Sequence, residues 1–127
     1  MKGSKDKKEK DKLVKTIIEG IQEVKGQEIL ELDLTKLDVS ICDTFIICHG
    51  GSTTQVDAIG DKVQEFTRKK LNQKAWKTSG YENCEWVILD YFDIIVHIFL
   101  KETRSVYNLE DLWSDANIIT HEEIAIK

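Results

Sequence analysis

The sequence predicts an α/β fold, in which a mixed β-sheet is flanked by helices, in one domain of 127 residues. Three observations lead to this prediction. Apolar residues recur at helical spacing near the N-terminus, an unbroken apolar strand passes directly into a second helix, and residues 85–99 form two adjacent apolar strands. The predicted order along the chain is helix, strand, strand, helix, strand, strand, strand, helix.

The first helix is predicted over residues 6–25. Leu13, Ile17 and Ile21 lie on one stripe of this helix, which indicates that it packs against a core. Gly26 is the predicted residue after its end, because glycine adopts the left-handed conformation that terminates many helices.

Two strands follow this helix. The alternation of Leu30, Leu32 and Leu34 predicts a strand with one face in solvent. The next strand is centred on residues 44–48, and its unbroken apolar sequence, TFIIC, predicts a central position in the sheet.

The second helix begins after the glycines of HGGSTTQ. Ser52 is its predicted N-cap and Gln55 the matching residue three positions later, which is the spacing of a capping box. Its end carries Arg68, Lys69 and Lys70, which complement the helix dipole.

The rest of the chain contains one short strand, one hairpin and one helix. KAWKTSGYENC predicts the short strand and a loop, and KETRSVYNLEDLW predicts a helix with an apolar side formed by Val106, Leu109, Leu112 and Trp113. The chain is therefore divided into a flexible lysine-rich segment at 1–12, a domain at 13–113 and a C-terminal tail at 114–127.

The hairpin EWVILDYFDIIVHIF has two different faces. A two-residue loop at 91–92 places Asp90 opposite Asp93, and Trp86 opposite His97. Because side chains alternate along a strand, one face is aliphatic and belongs to the core. It consists of Val87, Leu89, Ile94, Val96, Ile98 and Leu100.

The other face of the hairpin mixes aromatic, aliphatic and acidic side chains, which favours a protein-binding surface. We call it the mixed face; it consists of Trp86, Ile88, Asp90, Asp93, Ile95, His97 and Phe99. Trp86 is the predicted anchor, and Trp86→Ala is expected to lose binding while melting almost normally.

The bulk composition favours a basic protein partner in the cytoplasm. The net charge is −5, and acidic proteins attract basic partners. No apolar run is long enough to span a membrane, and the N-terminus lacks the apolar part of a secretory signal. Three cysteines without C-x-x-C spacing fit a reducing compartment, and neither they nor the three histidines suggest a metal site or another cofactor.

An enzyme is the alternative. Asp90 and Asp93 are candidate ligands of a divalent cation with His97 nearby, and the glycines of HGGST precede a helix N-terminus that could bind an anion. This combination would suit a metal-dependent nucleotidyl- or phosphotransferase. Carboxylates at a hairpin tip are, however, more often solvated turn residues.

A third interpretation is RNA binding by a basic cluster near the end of the second helix. This cluster consists of Lys62, Arg68, Lys69, Lys70, Lys74 and Lys77. A solvated helix end is the simpler explanation of these charges.

DTFIICHGGSTTQVDAIGDKV, GYENCEWVILDYFDIIVHIF and TRSVYNLEDLW together resemble the ribosomal silencing factor, or Iojap, family. The pattern W-x-x-x-D-x-x-D-x-x-x-H, followed by Y-x-L-E-x-L-W, is specific in this order. The resemblance implies a fold similar to that of nucleotidyltransferases. That fold here lacks the catalytic pair of carboxylates at i and i+2 on one strand.

The resemblance also implies a function without catalysis. Family members dock on the large ribosomal subunit through ribosomal protein L-fourteen, block subunit joining and silence translation when nutrients run short. Trp86 and its neighbours on the mixed face would then contact the ribosomal protein, with Tyr107 and Trp113 as further candidates. A peripheral contact with ribosomal RNA and a homodimer stay open.

The chain departs from the family pattern at Phe92, where members commonly have glycine. A tight two-residue turn needs a positive φ, which phenylalanine tolerates poorly. The hairpin loop could therefore be wider, with a shifted register, although the two faces depend only on alternation.

Overall fold

The protein is described here from a computed structural model, over residues 7–37 and 42–123. Its elements in chain order are α1 Lys7–Glu23, β1 Gln27–Asp33, β2 Thr44–Gly50, α2 Thr53–Leu71, β3 Lys77–Ser79, β4 Trp86–Asp90, β5 Ile94–Leu100, α3 Lys101–Tyr107, α4 Leu109–Leu112 and β6 Asn117–His121. The strands form one sheet in the order β3-β4-β5-β2-β1-β6. Only β2 and β5 pair in parallel among them. The predicted mixed sheet flanked by helices is confirmed.

Helices α1 and α2 cover one face of the sheet and enclose the main core. Its buried side chains come from both helices and from one face of the strands, and include Leu13, Ile17, Ile21, Ile46, Val56, Ile59, Val63, Val87, Leu89, Ile94, Val96 and Ile98. The aliphatic face predicted for the hairpin is therefore confirmed, with Leu100 packed at its margin. Strand β2 is buried along its whole length between β5 and β1, as its apolar sequence predicts.

The opposite face of the sheet carries a second, smaller apolar cluster. Its buried members are Leu32, Leu34, Phe45, Ile47 and Phe99. Leu109, Trp113 and Ala116 pack over them from the segment that follows α3. Leu32 and Leu34 of β1 are buried in this cluster, as their alternation predicts, while Glu31 and Asp33 on the other face of β1 remain half-exposed.

The junctions of α1 and α2 differ in detail from the prediction. Helix α1 ends at Glu23, and Lys25 rather than Gly26 has the positive φ, of 62°. Gly26 is needed for space instead, because a Cβ there would collide with the side chain of Ile21. The Ser52 cap is confirmed, since its side chain accepts a hydrogen bond from the N–H of Gln55.

The hairpin register is two residues away from the predicted one. Asp90 pairs with Ile95 and Trp86 pairs with Phe99. The turn stays tight but moves by one residue, to 92–93, where the N–H of Tyr91 donates to the carbonyl oxygen of Ile94 at 2.8 Å, so the expectation of a wider loop is wrong. Phe92 adopts the positive φ of this turn, 73°, and its N–H donates to Asp90 Oδ1 at 2.8 Å. A shift of two preserves the alternation, so every side chain stays on its predicted face.

The helix predicted over KETRSVYNLEDLW is broken into α3 and α4. Asn108, with a φ of 50°, separates the two pieces. Leu109 and Trp113 pack against the sheet, whereas Val106 and Leu112 are exposed. The prediction that all four form one buried side is therefore wrong.

The last strand, β6, was not apparent from the sequence. It pairs with β1 in antiparallel register, with Ile119 opposite Glu31. The predicted tail at 114–127 therefore contributes an edge strand, and the predicted limit of the domain at residue 113 is too early. Residues 7–12 of the predicted flexible segment belong to α1, while residues 1–6 and 124–127 lie outside the described residues.

Candidate protein-binding surface

Six rings meet on the sheet face opposite α1 and α2, and we call them the aromatic cluster. They belong to Phe45, Trp86, His97, Phe99, Tyr107 and Trp113. The Trp86 ring lies 4.8 Å, centroid to centroid, from Phe99 and the same distance from Tyr107. Phe45 lies 4.7 Å from His97 and 5.8 Å from Trp113. These are the separations of favourable aromatic pairs.

A hydrogen bond joins Trp86 to His97. The indole Nε1 donates to His97 Nδ1 at 3.1 Å, so the imidazole accepts at Nδ1 and carries its proton on Nε2. The predicted contact between these two residues is confirmed, as a diagonal pair rather than a directly opposite one. Burial lowers the pKa of His97 to about 4, so its side chain is neutral near pH 7 and is poorly suited to act as a general base.

The nine residues predicted to bind a partner differ in how far they reach the surface. Phe99 is fully buried, and His97 is only 7% exposed. Both side chains therefore lie beneath the more accessible side chains of the mixed face. Tyr107 is 57% exposed. The other six are half-buried: Trp86, Ile88, Asp90, Asp93, Ile95 and Trp113.

Trp86 and Tyr107 form the accessible centre of this region. Val106 and Leu112, both strongly exposed, add apolar area beside Tyr107. We use the name aromatic surface for these four residues together with Trp113. Exposed apolar side chains grouped on one segment are typical of surfaces that contact another molecule.

Asp90 and Asp93 lie at the other end of the mixed face. Trp86 begins β4 and Asp90 ends it, which separates them by roughly 13 Å at the usual rise of a strand. The Oδ1 atom of Asp90 accepts the N–H of Phe92, a common role for a turn aspartate. Within the described ranges, no three histidine, cysteine, aspartate or glutamate side chains converge to hold a metal ion.

Arg104 anchors α3 and α4 beneath the aromatic surface. Its guanidinium is 5% exposed and makes three contacts: Nε donates to Glu110 Oε2 at 3.2 Å, and Nη1 lies 2.8 Å from the carbonyl oxygen of Glu28 and 3.0 Å from His49 Nδ1. His49 Nε2 in turn lies 3.1 Å from Gln27 Oε1. Burial, together with the charge of Arg104, lowers the pKa of His49, so the ring accepts from Arg104 and donates to the glutamine.

The sequence reasoning did not identify Arg104. It lies within TRSVYNLEDLW, but one arginine in a charged helix carries no signal that it is buried. Only the paired acid six residues later, Glu110, could have suggested an ion pair, and that spacing is not the usual helical one.

The rim of the aromatic surface is acidic. Glu102, Asp111 and Asp115 are exposed on the segment that carries Tyr107, while Arg104 is neutralised within the fold. Lys101 is the exposed cation of α3, so the three acids leave this segment with a net negative charge beside the apolar centre.

Much of the predicted basic cluster is engaged in ion pairs. Lys62 and Lys69 both contact Glu65 at 3.2 Å, and Lys70 contacts Glu19 at 3.7 Å. Lys70 also lies over the ring of Phe66. These contacts are those of a solvated helix end.

The three cysteines are free thiols. Burial raises the pKa of Cys48 to about 12 and that of Cys42 to about 11, so both are protonated and unreactive near pH 7. Among the helices of the described ranges, none is long and apolar enough to cross a membrane.

Comparison with known proteins points to one family. A model of the RsfS family, described as "Ribosomal silencing factor during starvation", matches residues 7–127. Ribosomal silencing factor RsfS of Bacillus subtilis is 39% identical over 92 residues, which are 72% of this chain and 76% of that protein. A crystal structure of a Chromobacterium violaceum protein is similar, with a TM-score of 0.77 and 31% identity over 92% of each chain. A mouse protein named "Mitochondrial assembly of ribosomal large subunit protein 1" is 31% identical over 74 residues, which are 57% of this chain and 32% of that protein.

Proposed function

The chain belongs to the ribosomal silencing factor family, and from that premise we propose that it binds the large ribosomal subunit through ribosomal protein L-fourteen. By occupying this site it blocks joining of the small subunit and represses translation when nutrients are limiting. The name of the mouse relative, which refers to the large subunit, supports the choice of subunit.

The observation that carries this proposal is the contact between Trp86 and Tyr107. The two rings are 4.8 Å apart, and Tyr107 is exposed. Trp86 is fixed from below by Phe99 and by the hydrogen bond to His97. Aromatic side chains that are rigid before binding lose little conformational entropy in a complex, which is why they dominate binding energies at protein interfaces.

The charge around this centre suits a basic partner. Glu102, Asp111 and Asp115 on the rim would lie opposite lysine and arginine side chains, as expected for a ribosomal protein. Rim charges act mainly on the association rate, so binding should weaken as salt is raised.

We propose that Asp90 and Asp93 belong to the edge of this contact and not to a catalytic centre. Asp90 already accepts the N–H of Phe92, and it pairs across the sheet with Ile95, so the two aspartates are not neighbours on one strand. Purified protein with Mg²⁺ should hydrolyse neither ATP nor GTP. Turnover that disappears in Asp90→Asn would support the transferase alternative instead.

Co-sedimentation with isolated ribosomal subunits tests the proposal. The protein should pellet with large subunits and not with small subunits, and excess purified L-fourteen should compete for it. Equal pelleting with both subunits, or with neither, would contradict the proposal.

Two further features are part of the proposed function. The protein acts in the cytoplasm, in keeping with its free, protonated thiols. A homodimer remains a prediction, which analytical ultracentrifugation of the pure protein tests directly.

A further inference from the structure

Two exposed aromatic side chains lie together at the tip of the hairpin, away from the aromatic surface. Trp76 is 62% exposed and Phe92 is 40% exposed, and their ring centroids are 5.1 Å apart. A tryptophan this exposed is unusual, because its large apolar area is normally covered. The two rings present an apolar platform of their own.

The fold fixes this platform at one corner of the molecule. The N–H of Trp76 donates to the carbonyl oxygen of Asp90 at 2.7 Å, which holds the segment before β3 against the hairpin tip. Tyr91, between Asp90 and Phe92, is buried, and its hydroxyl lies 2.9 Å from Thr67 Oγ1. The platform is therefore held beside the C-terminal end of α2.

The segment that leads into this corner is strongly basic, and its last cation, Lys77, lies opposite Asp90 across the sheet. Residues 68–77 read RKKLNQKAWK, with five lysine or arginine residues and no acid, in a protein whose net charge is −5. Lys69 and Lys70 are engaged by Glu65 and Glu19. The three remaining cations, Arg68, Lys74 and Lys77, are exposed, and within the described part of the chain no carboxylate lies within ion-pair distance of them.

We propose that Trp76 and Phe92 form a stacking platform for an unpaired base of single-stranded RNA, whose phosphates contact Arg68, Lys74 and Lys77. Proteins that bind single strands combine aromatic rings, on which bases stack, with positive charge that follows the backbone. An acidic protein would require the same charges, whereas the two exposed ring faces, inclined at 45° to each other, also offer the stacking surface that single-strand binders use, which makes RNA the stronger explanation. The platform lies beyond the Asp90 end of β4 and Tyr107 beyond its Trp86 end, so the platform adjoins the proposed L-fourteen contact only at its edge, where Asp90 and Asp93 lie.

Fluorescence anisotropy with a labelled single-stranded oligoadenylate tests the platform without any ribosomal component. The parent should bind this RNA at low salt, and Trp76→Ala should bind it roughly tenfold more weakly, because one stacked base is lost. Phe92→Gly should also weaken binding, and this variant is safe for folding because glycine suits the φ of 73°. The double variant Lys74→Ala/Lys77→Ala should reduce the slope of log affinity against log salt by about 0.7 per lysine.

Tyr107→Ala is the matched control, since it removes a similarly exposed aromatic ring from the other surface. It should keep full RNA affinity while losing affinity for large subunits. RNA that fails to bind the parent, or binds Trp76→Ala as tightly as the parent, would overturn the proposal and leave the L-fourteen contact untouched. Weaker binding of Trp76→Ala to purified L-fourteen, with RNA binding unchanged, would show that the platform is a protein contact instead.

Discussion

The indole N–H of Trp86 donates to Nδ1 of His97 across 3.1 Å, on the sheet face opposite α1 and α2. This bond requires a neutral imidazole, because a protonated ring has no acceptor at Nδ1. A buried histidine therefore sets the orientation of the tryptophan that we propose as the anchor of the partner contact. The proposed partner contact and the stability of the fold therefore depend on the same pair of residues.

Tyr107→Ala should separate binding from stability. Tyr107 is exposed and contacts the fold mainly through the ring of Trp86, so the free energy of unfolding should fall by about 1 kcal/mol. Affinity for large subunits should fall roughly tenfold or more, as expected for an aromatic residue at the centre of an interface. Quantitative co-sedimentation together with thermal denaturation measures both effects.

Val96→Ala is the opposite control. Val96 is fully buried on the other face of β5, so the variant should melt earlier and still bind large subunits normally below its melting temperature. If Val96→Ala lost binding and Tyr107→Ala kept it, the contact with large subunits would lie elsewhere on the protein.

Trp86→Ala should impair both properties, in contrast to the normal melting expected from the sequence. The half-buried indole packs against Phe99 and Tyr107, and its removal leaves a buried acceptor at His97 without its donor. The free energy of unfolding should fall by about 3 kcal/mol, and affinity for large subunits should drop roughly thirtyfold. Urea denaturation measures the first effect, and co-sedimentation at a temperature where the variant is folded measures the second. An unchanged urea midpoint would show that the indole contributes little to the fold.

The stability of the protein should depend on pH through His97. Burial lowers the pKa of this group from 6.5 to about 4 in the folded state, so the unfolded chain binds more protons between these values. The stabilising contribution of the neutral ring is therefore complete above about pH 6.5 and is lost as the pH falls towards 4. The loss over this window amounts to about 3 kcal/mol.

His97→Gln isolates this contribution. Glutamine keeps an acceptor for Trp86 but does not titrate, while the carboxylates and the other histidines titrate equally in both proteins. Urea denaturation of the two proteins across the window should give a shallower pH dependence for the variant. Parallel curves would mean that His97 does not carry the effect.

Alternation explains why the faces of the hairpin could be predicted although its register could not. Val96 and Trp86 lie on the predicted sides because side-chain direction depends only on strand periodicity. The register depends on the loop, where Phe92 has a positive φ that a phenylalanine in the sequence does not predict. An aspartate cap two residues earlier stabilises that conformation, and such a local hydrogen bond is invisible in an apolar pattern.

The same distinction applies to the candidate site. The sequence predicts Trp86 as a binding residue because no aliphatic core pattern requires an aromatic residue on the mixed face. It predicts Tyr107 because Tyr107 lies in a specific motif. The break at Asn108 and strand β6 depend on contacts distant in sequence: Trp113 closes over Phe45, and Ile119 pairs opposite Glu31. Arg104 is hidden for the same reason, since its partners come from three separate elements of the fold.

Arg104 should be a positioning residue for the aromatic surface. Its side chain joins α3, and through Glu110 also α4, to the edge of the sheet at Glu28 and His49. Arg104→Met removes the charge but leaves the carboxylate of Glu110 without its partner, and breaking such a pair typically destabilises a protein by about 3–5 kcal/mol. Because these contacts hold α3 and α4 against the sheet, we also expect hydrogen exchange of α3 and α4 to accelerate more than that of β2 and β5. Helix α3 carries Tyr107, so the aromatic surface would lose its fixed position.

The double variant Arg104→Met/Glu110→Gln separates the effect of an unpaired charge on stability from the role of Arg104 in positioning the aromatic surface. Removing both charges should recover much of the stability, since no unpaired ion remains buried, but binding to large subunits should stay weak because the segment with Tyr107 is no longer clamped. Arg68→Ala, which truncates an exposed arginine of α2, should change neither melting nor the exchange of α3 and α4. Full binding by the double variant would show that Arg104 stabilises the fold without positioning the surface.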